Sequence, residues 1–141
     1  MSRKHTIALL SAGVAAALAA GVSSAATPTH ASLLIRHQVR GCHSWSVNGG
    51  AFRASQTIVL RRGGSITVRN IDVMPHKLIE TAGPAVRFVG RPNMNHMSAS
   101  VKAIFPKAGI YRFTTKAGED YMPGMKTVGE DNVLRLTVKV S

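Results

Sequence analysis

An all-β, antiparallel sandwich is the fold class this sequence predicts. Three observations predict it. Short runs rich in Val, Ile, Thr, Tyr and Phe recur between Gly, Pro, Asn and Asp breakers. Helical spacing of apolar residues over a useful length occurs only near the start, in residues 7–22. The chain closes on an alternation of Val133, Leu134, Leu136, Val138 and Val140 with polar residues, the period of a half-buried strand. Many short strands joined by turn signals pack most simply as two sheets around one core.

The elements follow in order. Residues 27–32 form a polar lead-in and residues 33–39 a first strand. Residues 41–50 read as a loop or frayed strand carrying Cys42, His43 and Trp45. Residues 57–60 are a strand, residues 61–64 a turn and residues 65–69 the returning strand, with Gly63-Gly64 as a hairpin signal. Residues 76–81 are another short strand. Residues 83–98 are irregular, broken by Pro84, Gly90 and Pro92. Strands over 101–105 and 110–115 flank a turn at 106–109, a long Gly-containing loop occupies 116–131, and a last strand runs over 132–140.

The first 26 residues have the layout of a secretory signal peptide. Arg3 and Lys4 give a basic start, an apolar Ala- and Leu-rich run follows, and Ser24-Ala25-Ala26 offers small residues for cleavage. The run is short for a membrane span and is interrupted by Ser11, Gly13 and Gly21. Residues 27–141 then form one domain, periplasmic or secreted and not integral to a membrane after cleavage. The whole chain carries a formal net charge of +12, and without Arg3 and Lys4 the mature part keeps 16 basic against 6 acidic residues. That surface suits an acidic redox partner or copper-handling protein. Nucleic acid is a poor fit, because the chain is exported and aromatics are only 5% of it. A monomer is expected.

Cys42 is the single cysteine, so no disulfide forms within the chain. A lone cysteine in an oxidising compartment is buried and inert, paired with another chain, or held by a metal. Its neighbour His43 favours the last. His76 lies in a Pro-stiffened turn, Asn70-Ile71-Asp72-Val73-Met74-Pro75-His76, just past a strand end. Tyr121-Met122-Pro123-Gly124-Met125 is a soft-ligand cluster after the 110–115 strand. Imidazole, thiolate and thioether converging from three segments is the ligand chemistry of copper. Met94-Asn95-His96-Met97 is a further soft cluster in the irregular stretch, and His37 reads as a surface strand residue. Glu119, Asp120, Glu130 and Asp131 are explained by loop solvation and turn capping.

The run of apolar strand, Gly turn, strand, Asn70-x-Asp72 and Pro75-His76 resembles the cupredoxin family at its first copper histidine. Phe105-Pro106-Lys107-Ala108-Gly109-Ile110-Tyr111-Arg112-Phe113 is similar to that family's strand before the copper loop, and Met122-Pro123-Gly124-Met125 resembles its His-Pro-Gly-Met segment. The resemblance spans residues 55–140. It implies a cupredoxin-like Greek-key sandwich, one bound copper, and one-electron transfer. The chain departs from the family at two ligands: Thr115 stands where the strand-end cysteine belongs, and Met122 stands for the loop histidine. Met125 matches the family's axial methionine. Either copper binding has been lost, or the centre is rebuilt, with Cys42 and His43 supplying from the N-terminal side what the C-terminal loop lacks. The expected ligands are His76, Cys42, His43, Met122 and Met125. Adjacent residues on a regular strand face opposite ways, so Cys42 and His43 share one ion only if the backbone is irregular there, which Gly41 permits.

The alternatives are copper carriage or sequestration without redox cycling, and a metal-free envelope binding module. Enzyme chemistry is not expected. No Ser-His-Asp pattern, phosphate-cradling Gly loop or paired carboxylates across a cleft stands out.

Overall fold

The computed structural model describes residues 25–37, 43–117 and 133–141. Cys42, Met122 and Met125 lie outside the described residues, as does nearly all of the expected signal peptide. Ten strands are described: β1 (His30–His37), β2 (His43–Val47), β3 (Ser55–Leu60), β4 (Ser65–Asn70), β5 (His76–Ala82), β6 (Arg87–Val89), β7 (Asn93–Met94), β8 (Ser100–Ile104), β9 (Gly109–Lys116) and β10 (Arg135–Val140). They form two five-stranded sheets, in the orders β2-β1-β4-β8-β6 and β3-β10-β9-β5-β7. This is the all-β, two-sheet architecture the sequence implies. Each sheet also holds one parallel pair, β1 with β4 and β3 with β10.

Alternation along the strands builds the core. Leu33 and Ile35 of β1, Ile66 and Val68 of β4, Val101 and Ala103 of β8, Tyr111 and Phe113 of β9, and Leu136 and Val138 of β10 all point inward and are buried. Burial of each large apolar side chain contributes about 1.5–3 kcal/mol. Phe105 packs edge-on to Tyr111 at 4.8 Å between ring centres and to Phe113 at 6.1 Å. Trp45 is fully buried and donates its Nε1–H to the Ala54 carbonyl at 3.1 Å.

Three expectations are corrected. Residues 57–60 and 65–69 are strands, but they do not pair as a hairpin. β3 sits in one sheet and β4 in the other, so the Gly63-Gly64 turn crosses between sheets. Glycine is required at position 64 all the same, because a Cβ there would lie 2.7 Å from the Arg61 carbonyl oxygen and 2.9 Å from that of Thr29. Residues 43–47 are a regular strand rather than a loop or frayed strand, paired antiparallel to β1. The irregular stretch after Gly83 carries the two short edge strands β6 and β7.

These pairings explain how distant segments meet. β1 runs parallel to β4, and Ile35 is opposite Asn70. β2 returns antiparallel along β1, with His43 opposite His37. The end of β1, the start of β2 and the turn after β4 therefore share one end of the sandwich. β5 begins at that turn with His76.

Candidate metal centre

Asn70 builds the turn that carries the site. It is fully buried at the end of β4. Its Nδ2 donates to the carbonyls of Met74 at 2.7 Å and Met94 at 3.1 Å, and its Oδ1 accepts the Asp72 N–H at 2.8 Å. Asp72 Oδ1 in turn accepts the Met74 N–H at 3.0 Å. Asn and Asp side chains that bond the backbone two residues on are the usual chemistry of such turns. The Ile71 N–H also bonds the Ile35 carbonyl of β1 at 2.8 Å. With one oxygen committed to its own turn, Asp72 is left with Oδ2 facing inward.

Two imidazoles converge on that oxygen. His43 Nδ1 lies 2.9 Å from Asp72 Oδ2, and His76 Nε2 lies 3.0 Å from the same atom. All three residues are buried. The two rings meet edge to face, 4.7 Å between centres. His43 comes from β2 of one sheet and His76 from β5 of the other, so Asp72 ties the two sheets together at this end.

The charge state follows from the contacts. Burial pushes the Asp72 carboxyl up, but hydrogen bonds from His43, His76 and the Met74 N–H outweigh it and hold the group well below the usual carboxylate range. An ionised carboxylate only accepts, so His43 presents Nδ1–H to it and His76 presents Nε2–H. The Thr115 hydroxyl lies 3.4 Å from the other ring nitrogen, His76 Nδ1. Thr115 occupies the strand-end position that the family resemblance gives to a cysteine.

The sequence-expected residues divide as follows. His43 and His76 are brought together, with their side chains in direct contact. Cys42, Met122 and Met125 fall outside the described residues. The Met94-to-Met97 cluster is split: Met94 is fully buried opposite His76 in the β5–β7 pair, while His96 and Met97 are exposed. Two residues were missed. Asp72 was read as part of a turn motif only, although an Asp four residues before a candidate histidine was the available signal. His37 was read as surface. It is exposed, yet it stands opposite His43, with the two rings 6.1 Å apart. One ligand atom each from His37, His43 and Asp72 lie within 4.8 Å of one another.

Imidazole nitrogens beside a carboxylate are donor types that a borderline divalent ion accepts. Donor atoms bound side by side to one ion, each at about 2.0–2.1 Å, are themselves about 2.9–3.4 Å apart. The two nitrogens stand 2.9 and 3.0 Å from Oδ2 and carry the protons it accepts, so an ion held by all three groups would displace those protons. Imidazole and carboxylate suit Cu(II) and Zn(II), with Cu(II) bound more tightly at a given N/O site.

No protein-family model matches the chain, and no curated protein does. Among solved structures, the chain is similar to a purple cupredoxin from Nitrosopumilus maritimus, with 19% identity over 78% of this chain and 98% of that one, and a TM-score of 0.46. A rusticyanin structure is similar over 82% of this chain and 80% of that one, at 12% identity and a TM-score of 0.41. So is the cysteine protease inhibitor EhICP2 from Entamoeba histolytica, over 81% of this chain and 99% of that one, at 9% identity and a TM-score of 0.40. Proteins of different activity share such strand layouts, so function has to be argued from the site.

Proposed function

We propose that the protein is an exported copper-binding protein that holds one ion on His43, Asp72 and His76. The observation that carries this reading is the pair of buried imidazoles sharing one oxygen of a buried, ionised carboxylate. A carboxylate oxygen and two imidazoles favour Cu(II) over Cu(I), which prefers sulfur. The reading is therefore one of holding or carrying copper, without obligatory redox cycling. Bound copper would supply a cationic centre that neutralises the Asp72 charge, while the Asn70 turn holds Asp72 in place beside both rings.

One-electron transfer is the second reading, and two observations favour it. The centre is buried and bridges the two sheets of the sandwich, which limits rearrangement between oxidation states. Cys42 directly precedes His43 and supplies the one thiol of the chain. In either reading the surface would steer an acidic partner. Among the described residues every Lys and Arg is exposed, whereas Asp72 is buried and Glu80 only partly exposed.

Titration of the purified mature protein with Cu(II) tests the proposal. One equivalent should bind, and His43→Ala and His76→Ala should each lower affinity by at least about ten-fold. A pale complex supports copper holding, and an intense thiolate-to-Cu(II) band supports electron transfer. Affinity unchanged in both variants would remove the centre from this end of the sandwich.

A further inference from the structure

We propose that His37 is the solvent-side ligand of this centre, completing a set of three imidazoles and one carboxylate that takes a borderline divalent cation, Cu(II) or Zn(II), without any sulfur. The inference rests on the His43–Asp72–His76 reading and adds a residue, a metal class and a route of exchange to it.

Placement is the first ground. His37 ends β1 and is register-paired with His43, so both side chains lie on the same face of the β1–β2 pair. A ligand atom of His37 is within 4.8 Å of one on His43 and one on Asp72. His43 and Asp72 are buried, but His37 is exposed. Donors on one ion stand about 2.9–3.4 Å apart, so a ligating His37 would close the remaining distance from its exposed position.

Donor chemistry is the second ground. His43, Asp72 and His76 give two nitrogens and one oxygen, and His37 makes the set four, the number a structural Zn(II) or a tightly held Cu(II) uses. Thr115, at the place where the resemblance puts a thiolate, contributes a hydroxyl facing His76. Ligand atoms of His37, His43 and Asp72 lie within 4.8 Å of one another, and His76 adjoins them through Asp72 Oδ2. Because one ligand is open to solvent and the other three are fixed, His37 is also where an ion enters and leaves. Loss of His37 should therefore speed release as well as weaken binding.

The test uses the mature protein carrying Cys42→Ser, so that no thiolate contributes, with Zn(II) and Co(II) as probes. One equivalent of each should bind, and Co(II) should give the intense visible bands of a four-coordinate site. Adding His37→Ala should lower affinity by at least about ten-fold, collapse those bands and raise the dissociation rate. His37 is exposed, so circular dichroism should stay unchanged. Diethyl pyrocarbonate followed by peptide mass mapping gives a second readout. His37 should be carbethoxylated in metal-free protein and protected by one equivalent of Zn(II), while exposed His96 reacts in both states. Equal affinity with and without His37, or equal modification of His37 in both states, would overturn the proposal. If His76→Ala still abolishes binding in that case, the His43–Asp72–His76 centre stands without His37. If the Cys42→Ser protein binds neither probe, the sulfur-free set is wrong, and Cu(II) binding by the parent then decides whether the centre itself survives.

Discussion

Replacing Asp72 with Asn tests whether one carboxylate organises this end of the fold. The substitution keeps the shape and removes the charge. Asp72 Oδ1 accepts the Met74 N–H at 3.0 Å, which pins the asparagine oxygen to that side. Its amide N–H₂ then faces both rings. Each ring must switch from donor to acceptor, and the His76 proton moves to Nδ1, towards the Thr115 hydroxyl. A hydrogen bond to a charged partner contributes about 1.5–3 kcal/mol and a neutral one about 1, so two downgraded bonds cost about 2 kcal/mol in total, within a range of about 1–4. Asp72→Ala should cost more, about 3–5 kcal/mol, because it leaves two buried imidazoles and the turn N–H without their acceptor. The assay is guanidinium unfolding of metal-free protein at neutral pH, followed by emission of the buried Trp45. Nitrogen chemical shifts of the imidazoles give the tautomers independently. Asp72→Asn within 0.5 kcal/mol of the parent, with both tautomers unchanged, would refute the idea that this oxygen fixes the rings.

Glu80 should behave in the opposite sense. Burial pushes its carboxyl up, only partly countered by the Val86 N–H, and its Oε1 is buried with no hydrogen-bond partner among the described residues. A raised carboxyl contributes stability below its unfolded pKa that is lost as pH rises through the folded one. Glu80→Gln should therefore raise the melting temperature at pH 7, with the gain vanishing below about pH 4; no gain at neutral pH contradicts this. Cys42→Ser should leave the stoichiometry of Cu(II) binding at one, and abolish any intense visible band only if electron transfer is the true activity. Intact mass of the exported protein should begin at or close to Thr27, whereas a full-length, membrane-retained product would contradict the expected processing.

Local chemistry made part of this legible. The Asn70-x-Asp72 turn and the strand on either side of it were readable, because both depend on neighbouring residues, and His76 begins the second of those strands. His43 was singled out for sitting beside Cys42, and the structure does bring it to His76. How the two meet could not be read, since a Gly-Gly turn states that the chain reverses but not which sheet receives the next strand. The strand β2 was hidden because four of its five residues are buried, so Ser44, Trp45 and Ser46 show no apolar–polar alternation. Asp72 looked like turn chemistry alone, and it is: only the parallel pairing of β1 with β4 turns its second oxygen into a shared partner of two rings. His37 was similarly invisible, because its importance depends on register with His43 rather than on anything in its own neighbourhood.

Pulsed electron paramagnetic resonance of the Cu(II)-loaded mature protein tests the central claim most directly, since the remote nitrogen of a coordinated imidazole modulates the copper signal. The account predicts clear imidazole modulation, diminished by His43→Ala and by His76→Ala separately, with a spectrum typical of nitrogen and oxygen donors. A signal without imidazole modulation, or one that neither substitution alters, would contradict it.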